Sequence, residues 1–339
     1  MTRPRVRDLG LRPGTLPPGP LNAITDVPGV IVGHVTLIEG ESIRTGATAI
    51  RIAERNLFTQ PLVGTVHVIN GFGKSLGLMQ TAELGRIETP IVITNTLSVW
   101  AAAEALVDWT LRENDARSIN PVVGECNDSR LSDVVGRHVT REHVLEALES
   151  AHDGEVAEGN VGAGTGMCGF GYKAGVGTSS RIAATKGGDY AVGVVVVCNT
   201  GAPGELCLAG LPVGQRLIAS ANEAANEDGS IIIVLGTDAP LTSRQLERVA
   251  KRATHGLARA GAISSHGSGD VVVAFSTTEP SSTFVEGRDI TALFRATVEA
   301  TDEAIGNSVL RSETLTGRDG TTVGAIPLDA VRRCCEGLM

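Results

Sequence analysis

Asn226-Glu227-Asp228-Gly229-Ser230-Ile231-Ile232-Ile233-Val234-Leu235-Gly236-Thr237-Asp238 is the segment on which the architecture of this chain turns. A polar run ends at Gly229, and four branched apolar residues and Leu235 follow Ser230. A short apolar run rich in β-branched residues and bounded by glycines reads as a strand buried on both faces. Ser230 is then the first residue of a central strand. Its hydroxyl can reach the Gly229 carbonyl with little hindrance, because glycine has no Cβ. A precursor that cuts itself and frees an N-terminal serine nucleophile needs that arrangement. On these residues alone, a Gly-Ser turn entering a buried strand is the simpler reading, and the rest of the chain has to decide.

Working outward, the neighbouring segments alternate between strand and helix. Residues 24–30, 32–35 and 44–50 read as short antiparallel strands, with His34 a structural histidine inside one of them. Residues 62–69 form another strand that ends in the turn Asn70-Gly71-Phe72-Gly73-Lys74, and Leu76 and Met79 beyond it read as core. Pro90–Thr96 is a buried strand. Ser98 is placed to cap a helix carrying Val99, Ala103, Leu106 and Trp109 at helical spacing. Residues 121–126 give a strand and 140–151 an amphipathic helix. The glycine-dense segment from Glu158 to Arg181 has no Gly-Lys-Ser/Thr ending and no GxGxxG opening a helix, so backbone crowding explains it better than nucleotide binding. Residues 189–198 are a long buried strand, and Gln215 to Asp228 reads as a helix with Leu217, Ala221, Ala224 and Ala225 on one side. Thr242 opens a capping box for a helix to about Ala260. After the polar loop 264–270 come a strand at 271–276, a long helix at 290–305 and a short one after Pro327. Such alternation predicts sheets with helices packed outside, a layered α/β arrangement.

Composition sets the boundaries. With 339 residues the chain can bury a substantial core, and with 42% apolar but only 3% aromatic residues that core is built from Val, Ile, Leu and Ala. The net charge of −9, without a long Lys/Arg run, argues against nucleic acid as a partner. Six cysteines without a CxxC pair, two of them adjacent, predict reduced thiols and a cytoplasmic setting. No segment has the form of a signal peptide or the length of a membrane span, so no membrane partner is expected. Residues 1–22 are Pro- and Gly-rich, an irregular arm lying on the surface or across a neighbouring subunit, ahead of a single domain at 23–339.

LNAITDVPGVIVGH, SIRTGATAI, TPIVITNTLSV, EGNVGAGTGM, KAGVGTSSR, GSIIIVLGTDAPL and GSGDVVVAFST together resemble the DmpA-type aminopeptidases, a family of L-aminopeptidase/D-amino-acid esterases and β-peptidyl aminopeptidases. The resemblance runs from about Leu21 to Ile326. It implies a four-layer αββα fold, similar to the N-terminal-nucleophile hydrolases but differently connected. It implies autocleavage between Gly229 and Ser230 into chains 1–229 and 230–339. It also implies roles for individual residues: Ser230 as nucleophile, Ser268 and Asp270 as its supporting pair, Asn199 as oxyanion donor, and Glu125 as anchor for the substrate ammonium. Two residues beyond Glu125 some members carry a tyrosine facing the oxyanion, and here Asn127 stands there. Lys173 is expected to support the network electrostatically or to form a salt bridge.

The chemistry is self-consistent. A serine hydroxyl must pass its proton to a neighbour, and the α-amine of a freed Ser230, which ordinarily titrates at about pH 8, can take it near neutrality. Ser268 held by Asp270 would orient that network as the third member of a serine triad does. The function expected is a self-processing serine aminopeptidase acting on small peptides, amides or esters, a homo-oligomer of αβ units without cofactor or metal. Two rivals stand beside it. One is an acyltransferase similar to ornithine acetyltransferase, a group that typically uses threonine. The other is an uncleaved homologue that only binds a small molecule.

Overall fold

The structure, a computed structural model of the chain, describes residues 3–218, 229–281 and 288–336. In chain order the strands begin with β1 (Val30–Glu39), β2 (Ile43–Ile52), β3 (Leu62–Gly71), β4 (Arg86–Ile87), β5 (Ile91–Asn95) and β6 (Val122–Cys126). They continue with β7 (Cys168–Gly169), β8 (Tyr172–Lys173), β9 (Val176–Thr185), β10 (Gly188–Asn199), β11 (Ser230–Thr237) and β12 (Gly269–Ser276). The helices are α1 (Leu78–Leu84), α2 (Val99–Leu111), α3 (Arg141–Glu149), α4 (Val213–Leu217), α5 (Ser243–Ala250), α6 (Ala253–Ala260), α7 (Arg288–Leu310) and α8 (Leu328–Glu336).

Two sheets carry the architecture, one ordered β1-β2-β5-β6 and the other β4-β3-β12-β11-β10-β9. Side-chain alternation along the strands sorts the apolar residues into layers. On β11, Ile232 and Val234 join Val195 and Val197 of β10 and Ile91 and Ile93 of β5 between the two sheets. Ile231, Ile233 and Leu235 point the other way, onto a core shared with Leu246 and Val249 of α5, Leu257 of α6 and Leu293 and Ala300 of α7. A third core packs α2 and α3 on the outer face of the smaller sheet, through Val99, Leu106, Val144 and Leu148. Helix, sheet, sheet and helix follow one another, the αββα arrangement that the family resemblance implies. Every residue of β11 is buried, as its unbroken apolar run requires.

Glycines in the dense segment serve close approach. A Cβ on Gly175 would lie 2.0 Å from the Gly159 carbonyl oxygen, and one on Gly177 would lie 2.0 Å from that of Ala304 in α7. No side chain fits at either place. The arm before β1 is held by side-chain hydrogen bonds and ion pairs. Arg7 Nε donates to both Glu303 oxygens at 2.9 and 3.0 Å, Asn22 Nδ2 to Glu303 Oε1 at 2.5 Å, and Arg181 Nη2 to Glu303 Oε2 at 2.6 Å. Arg5 pairs with Glu158 at 2.9 Å. The arm is thereby tied to β9 and α7 of its own chain.

Several local expectations are corrected. Ile24–Asp26 is a 3-10 turn, not strand, because the Asp26 carboxylate takes the amides of Leu21 and Ala23 at 3.0 and 3.1 Å and curls the backbone around itself. Met79 is 89% exposed, so of the pair expected in the core only Leu76 packs inward. Ser98 makes no side-chain cap to α2; Asn95 Oδ1 instead accepts from the Ser98 amide at 2.9 Å. Thr242 does cap, but the helix breaks at Lys251–Arg252 into α5 and α6. Of the helix expected at 215–228, α4 covers the beginning, while Ala221, Ala224 and Ala225 lie outside the described residues.

The Glu303 cluster yields a stability prediction. Glu303 and Arg181 are fully buried, and removing one charge strands the others. Glu303→Gln is expected to lower the unfolding free energy by about 3 kcal/mol or more in a urea titration. A change within about 0.5 kcal/mol would show that the clamp contributes little.

Candidate active site

Register places the site. β10 runs antiparallel to β11 with Asn199 opposite Ser230, and β12 runs parallel to β11 with Gly269 beside Ser230. Residues 199, 230 and 269 therefore meet at one end of the larger sheet, although far apart in the chain. Ser230 and Asn199 have the parity of the residues facing the smaller sheet, where β6 turns Val122, Gly124 and Cys126 towards β11; Glu125, of the other parity, and Asn127, just past the end of β6, line the same cavity.

These residues line a cavity of about 200 Å³, together with Phe72, Lys74, Thr96, Arg130, Cys168 and a ring of glycines that includes Gly229, Gly267 and Gly269. The Asn199 amide is fixed in orientation. Its Oδ1 accepts from the Cys168 amide at 2.9 Å, a group that can only donate, so Nδ2 must face the other way. Nδ2 lies 3.3 Å from Ser230 Oγ and donates to the Asn127 carbonyl at 3.1 Å. It is an N–H donor beside the hydroxyl oxygen, where a carbonyl under attack would develop charge.

Glu125 is almost fully buried. Its Oε1 accepts from the Lys74 amide at 2.8 Å and its Oε2 from the Thr96 hydroxyl. Neither partner is a cation, so these contacts form no ion pair with Glu125. The Asn127 side chain does not reach across; its Oδ1 accepts from the Ser129 amide at 2.9 Å. Its contribution is the backbone carbonyl under Asn199. Cys126, beside Ser230, is no rival nucleophile: burial pushes its thiol well above the usual range, with the Ser230 hydroxyl pulling the other way.

Ser268 and Asp270 form a pair behind the wall of the cavity, with Ser268 Oγ donating to Asp270 Oδ1 at 2.6 Å. Burial raises the Asp270 carboxyl, while the Ser268 and Ser264 hydroxyls and the Ile231 amide act against it. Among the described residues no hydrogen bond joins this pair directly to Ser230; the link runs through the β11–β12 ladder and Ile231. Lys173 lies outside the cavity lining. It is fully buried, with Nζ held by the carbonyls of Gly164 and Ala174 rather than by an acid. Burial pulls it down to about 8, against the neighbouring thiols of Cys168 and Cys198.

Comparisons with known proteins bear on the chain as a whole. The family model described as peptidase family S58 matches residues 22–323. The chain belongs to peptidase family S58. Among S58 relatives, a protein named beta-peptidyl aminopeptidase BapA from Sphingosinicella microcystinivorans is 42% identical, over 96% of this chain and 90% of that protein. A solved structure from Pyrococcus horikoshii superposes with a TM-score of 0.91 at 45% identity, covering 98% of this chain and 99% of the other. Another is the L-aminopeptidase D-Ala-esterase/amidase of Ochrobactrum anthropi, described as a prototype of the serine aminopeptidases and a variant of the Ntn-hydrolase fold. It superposes at 0.89 with 36% identity, over 99% of both chains. An S58 protein of this fold is a serine aminopeptidase, a hydrolase acting on the N-terminal residues of peptides.

Three residues of this S58 site carry no local signal in the sequence. Thr96 looks only like the end of a strand, yet it holds Glu125. Asn70 looks like a turn residue, yet its Nδ2 faces the carbonyls of Ser265, His266 and Ser268 at 3.1, 3.1 and 2.5 Å and clamps the loop that carries Ser268. Asp128, in sequence between the cavity-lining Asn127 and Ser129, is fully buried. Burial pushes its carboxyl up to about 7, against the pull of the Thr45 and Asn95 side chains. The neighbouring polar residues Asn127 and Ser129 disguise it as part of an ordinary solvated turn.

Asp128 generates a pH prediction. Its folded pKa lies above the unfolded value of about 3.9, so the folded state holds the proton longer. Stability from this group is full below about pH 4, falls as pH rises and is lost above about pH 7. Asp128→Asn is expected to match wild type near pH 4 and to exceed it at pH 8 by about 4 kcal/mol, read by urea unfolding at the two pH values. An equal effect at both would contradict a buried, protonated carboxyl.

Proposed function

We propose that this aminopeptidase matures by breaking its own Gly229–Ser230 bond and then uses Ser230 as an N-terminal nucleophile. The observation that carries the reading is the placement of the Asn199 Nδ2 donor 3.3 Å from Ser230 Oγ, in the cavity that Glu125 also lines. In the first stage Ser230 Oγ attacks the Gly229 carbonyl and the C–N bond gives way to an ester. Water then hydrolyses the ester, leaving a carboxylate on Gly229 and a free amine on Ser230.

In the mature enzyme that amine accepts the Oγ proton as Oγ attacks the substrate carbonyl. The oxyanion forms against the Asn199 amide, worth about 3 kcal/mol in the transition state. The proton passes to the departing amine, and water, deprotonated by the same base, releases the acyl group. The Ser268 hydroxyl gives its own hydrogen to Asp270, so its lone pairs are left to accept one from the Ser230 ammonium. Glu125 selects substrates with a free N-terminal ammonium. The names of the relatives extend the proposal to N-terminal β-amino residues and to amino-acid amides and esters.

Kinetics on an amino-acid p-nitroanilide tests these roles. Ser230→Ala is expected to lose at least roughly a thousandfold in kcat, and Asn199→Ala about a hundredfold or more. Glu125→Gln is expected to act mainly on KM, and N-acetylation of the substrate to abolish turnover by wild type. Equal turnover of the free and acetylated substrates would remove Glu125 from the ammonium site.

A further inference from the structure

Arg130 lies five residues beyond Glu125, inside a turn in which the Asp128 carbonyl accepts the amides of Leu131 and Ser132 at 3.0 and 2.9 Å. It lines the same cavity as Ser230 and is half-buried. Its guanidinium makes no hydrogen bond or ion pair among the described residues. Other arginines in this molecule are differently placed. Arg44 spends its guanidinium on four carbonyl oxygens, Arg55 spends its own on three, and Arg181 is clamped between Glu299 and Glu303. Lys74, the other cation lining the cavity, is already engaged, with Nζ 3.2 Å from the Phe72 carbonyl and 4.9 Å from the centre of the Phe72 ring.

The cavity has two charged flanks. Glu125 sits on the side of Gly73 and Lys74. Arg130 sits on the side of Cys168, whose thiol feels its charge and whose amide holds Asn199 from behind. Ser230 and Asn199 line the same cavity as both. A carboxylate on one flank and an unpaired guanidinium on the other match a molecule with an ammonium at one end and a carboxylate at the other. An extended dipeptide spans at most about 7 Å of backbone, a length suited to a cavity of about 200 Å³.

We propose that Arg130 binds the free C-terminal carboxylate of a dipeptide, making this enzyme selective for dipeptides over C-terminally blocked substrates. The proposal rests on the aminopeptidase reading above and adds the identity of the leaving group. A guanidinium offers the paired N–H geometry that a carboxylate accepts in bidentate fashion, so the contact orients the leaving amino acid as well as attracting it.

The test compares two substrates that differ only at the C-terminus: a dipeptide whose second residue is alanine and the same dipeptide as its alaninamide. The p-nitroanilide of the first residue serves as a third substrate with no carboxylate. Wild type is expected to prefer the free acid over the amide by roughly ten- to a hundredfold in kcat/KM, mainly through KM, with the preference shrinking as salt rises. Arg130→Gln is expected to bring that ratio towards one, and Arg130→Lys, which keeps the charge but not the fork, to restore part of it. A wild-type ratio of one or below would overturn the proposal without any variant having to fold, and so would an unchanged ratio in Arg130→Gln. Failure of wild type on all three substrates, the anilide included, would remove the aminopeptidase reading and this proposal with it.

Discussion

The hydrogen-bond ladder joining β10, β11 and β12 is the constraint from which the rest follows. It sets Asn199 opposite Ser230 and Gly269 beside it, and because side chains alternate along a strand it also fixes which way each points. A slip of one residue between β10 and β11 would turn Asn199 from the inter-sheet side to the helix side, and its amide would leave the Ser230 hydroxyl. The apolar residues enforce the register. Val195, Val197, Ile232 and Val234 have a dry layer on one side, and Val194, Val196, Ile231 and Ile233 have another on the opposite side. With both faces buried, neither parity is free to exchange.

The layers also explain the glycines around the site. Gly124 of β6 passes Ile232 so closely that a Cβ there would lie 2.8 Å from it, and a Cβ on Gly269 would lie 2.9 Å from the backbone of Gly73. Those approaches bring β6 over the end of β11 and place the Gly73–Lys74 backbone where its amide can hold Glu125. The polar groups at the site are consequently held from behind: Asn199 by the Cys168 amide, Glu125 by Thr96 and the Lys74 amide, and the Ser268 loop by Asn70. A site held this way offers its free donors and its charge to the ligand and needs little reorganisation when charge develops.

Much of the fold was legible because it is written in local runs. The branched run after Ser230, the alternation in residues 44–50 and the capping box at Thr242 each specify an element with little help from elsewhere. Where a distant partner decides the outcome, local reading failed. Met79 kept helical spacing yet faces outward, and Ile24 sits in a turn drawn by the Asp26 side chain. Ser98 yields its expected capping role to Asn95. The site was legible only in part for the same reason. Ser230 announces itself by its position between glycine and strand, and Asn199 ends a recognisable strand, but nothing local pairs residue 199 with 230 or 230 with 269. Resemblance to a family supplied that pairing in advance. It did not supply Asn70 or Thr96, whose roles exist only once the strands are assembled.

If one backbone bond at the head of β11 is the point where the chain becomes an enzyme, purified wild-type protein contains two polypeptides. Intact-mass measurement with N-terminal sequencing of the smaller fragment addresses this most directly. The account predicts a fragment beginning Ser-Ile-Ile-Ile-Val, with Ser230→Ala remaining one chain. A single uncut chain in fully active wild-type protein, or a fragment beginning at any other residue, would contradict it.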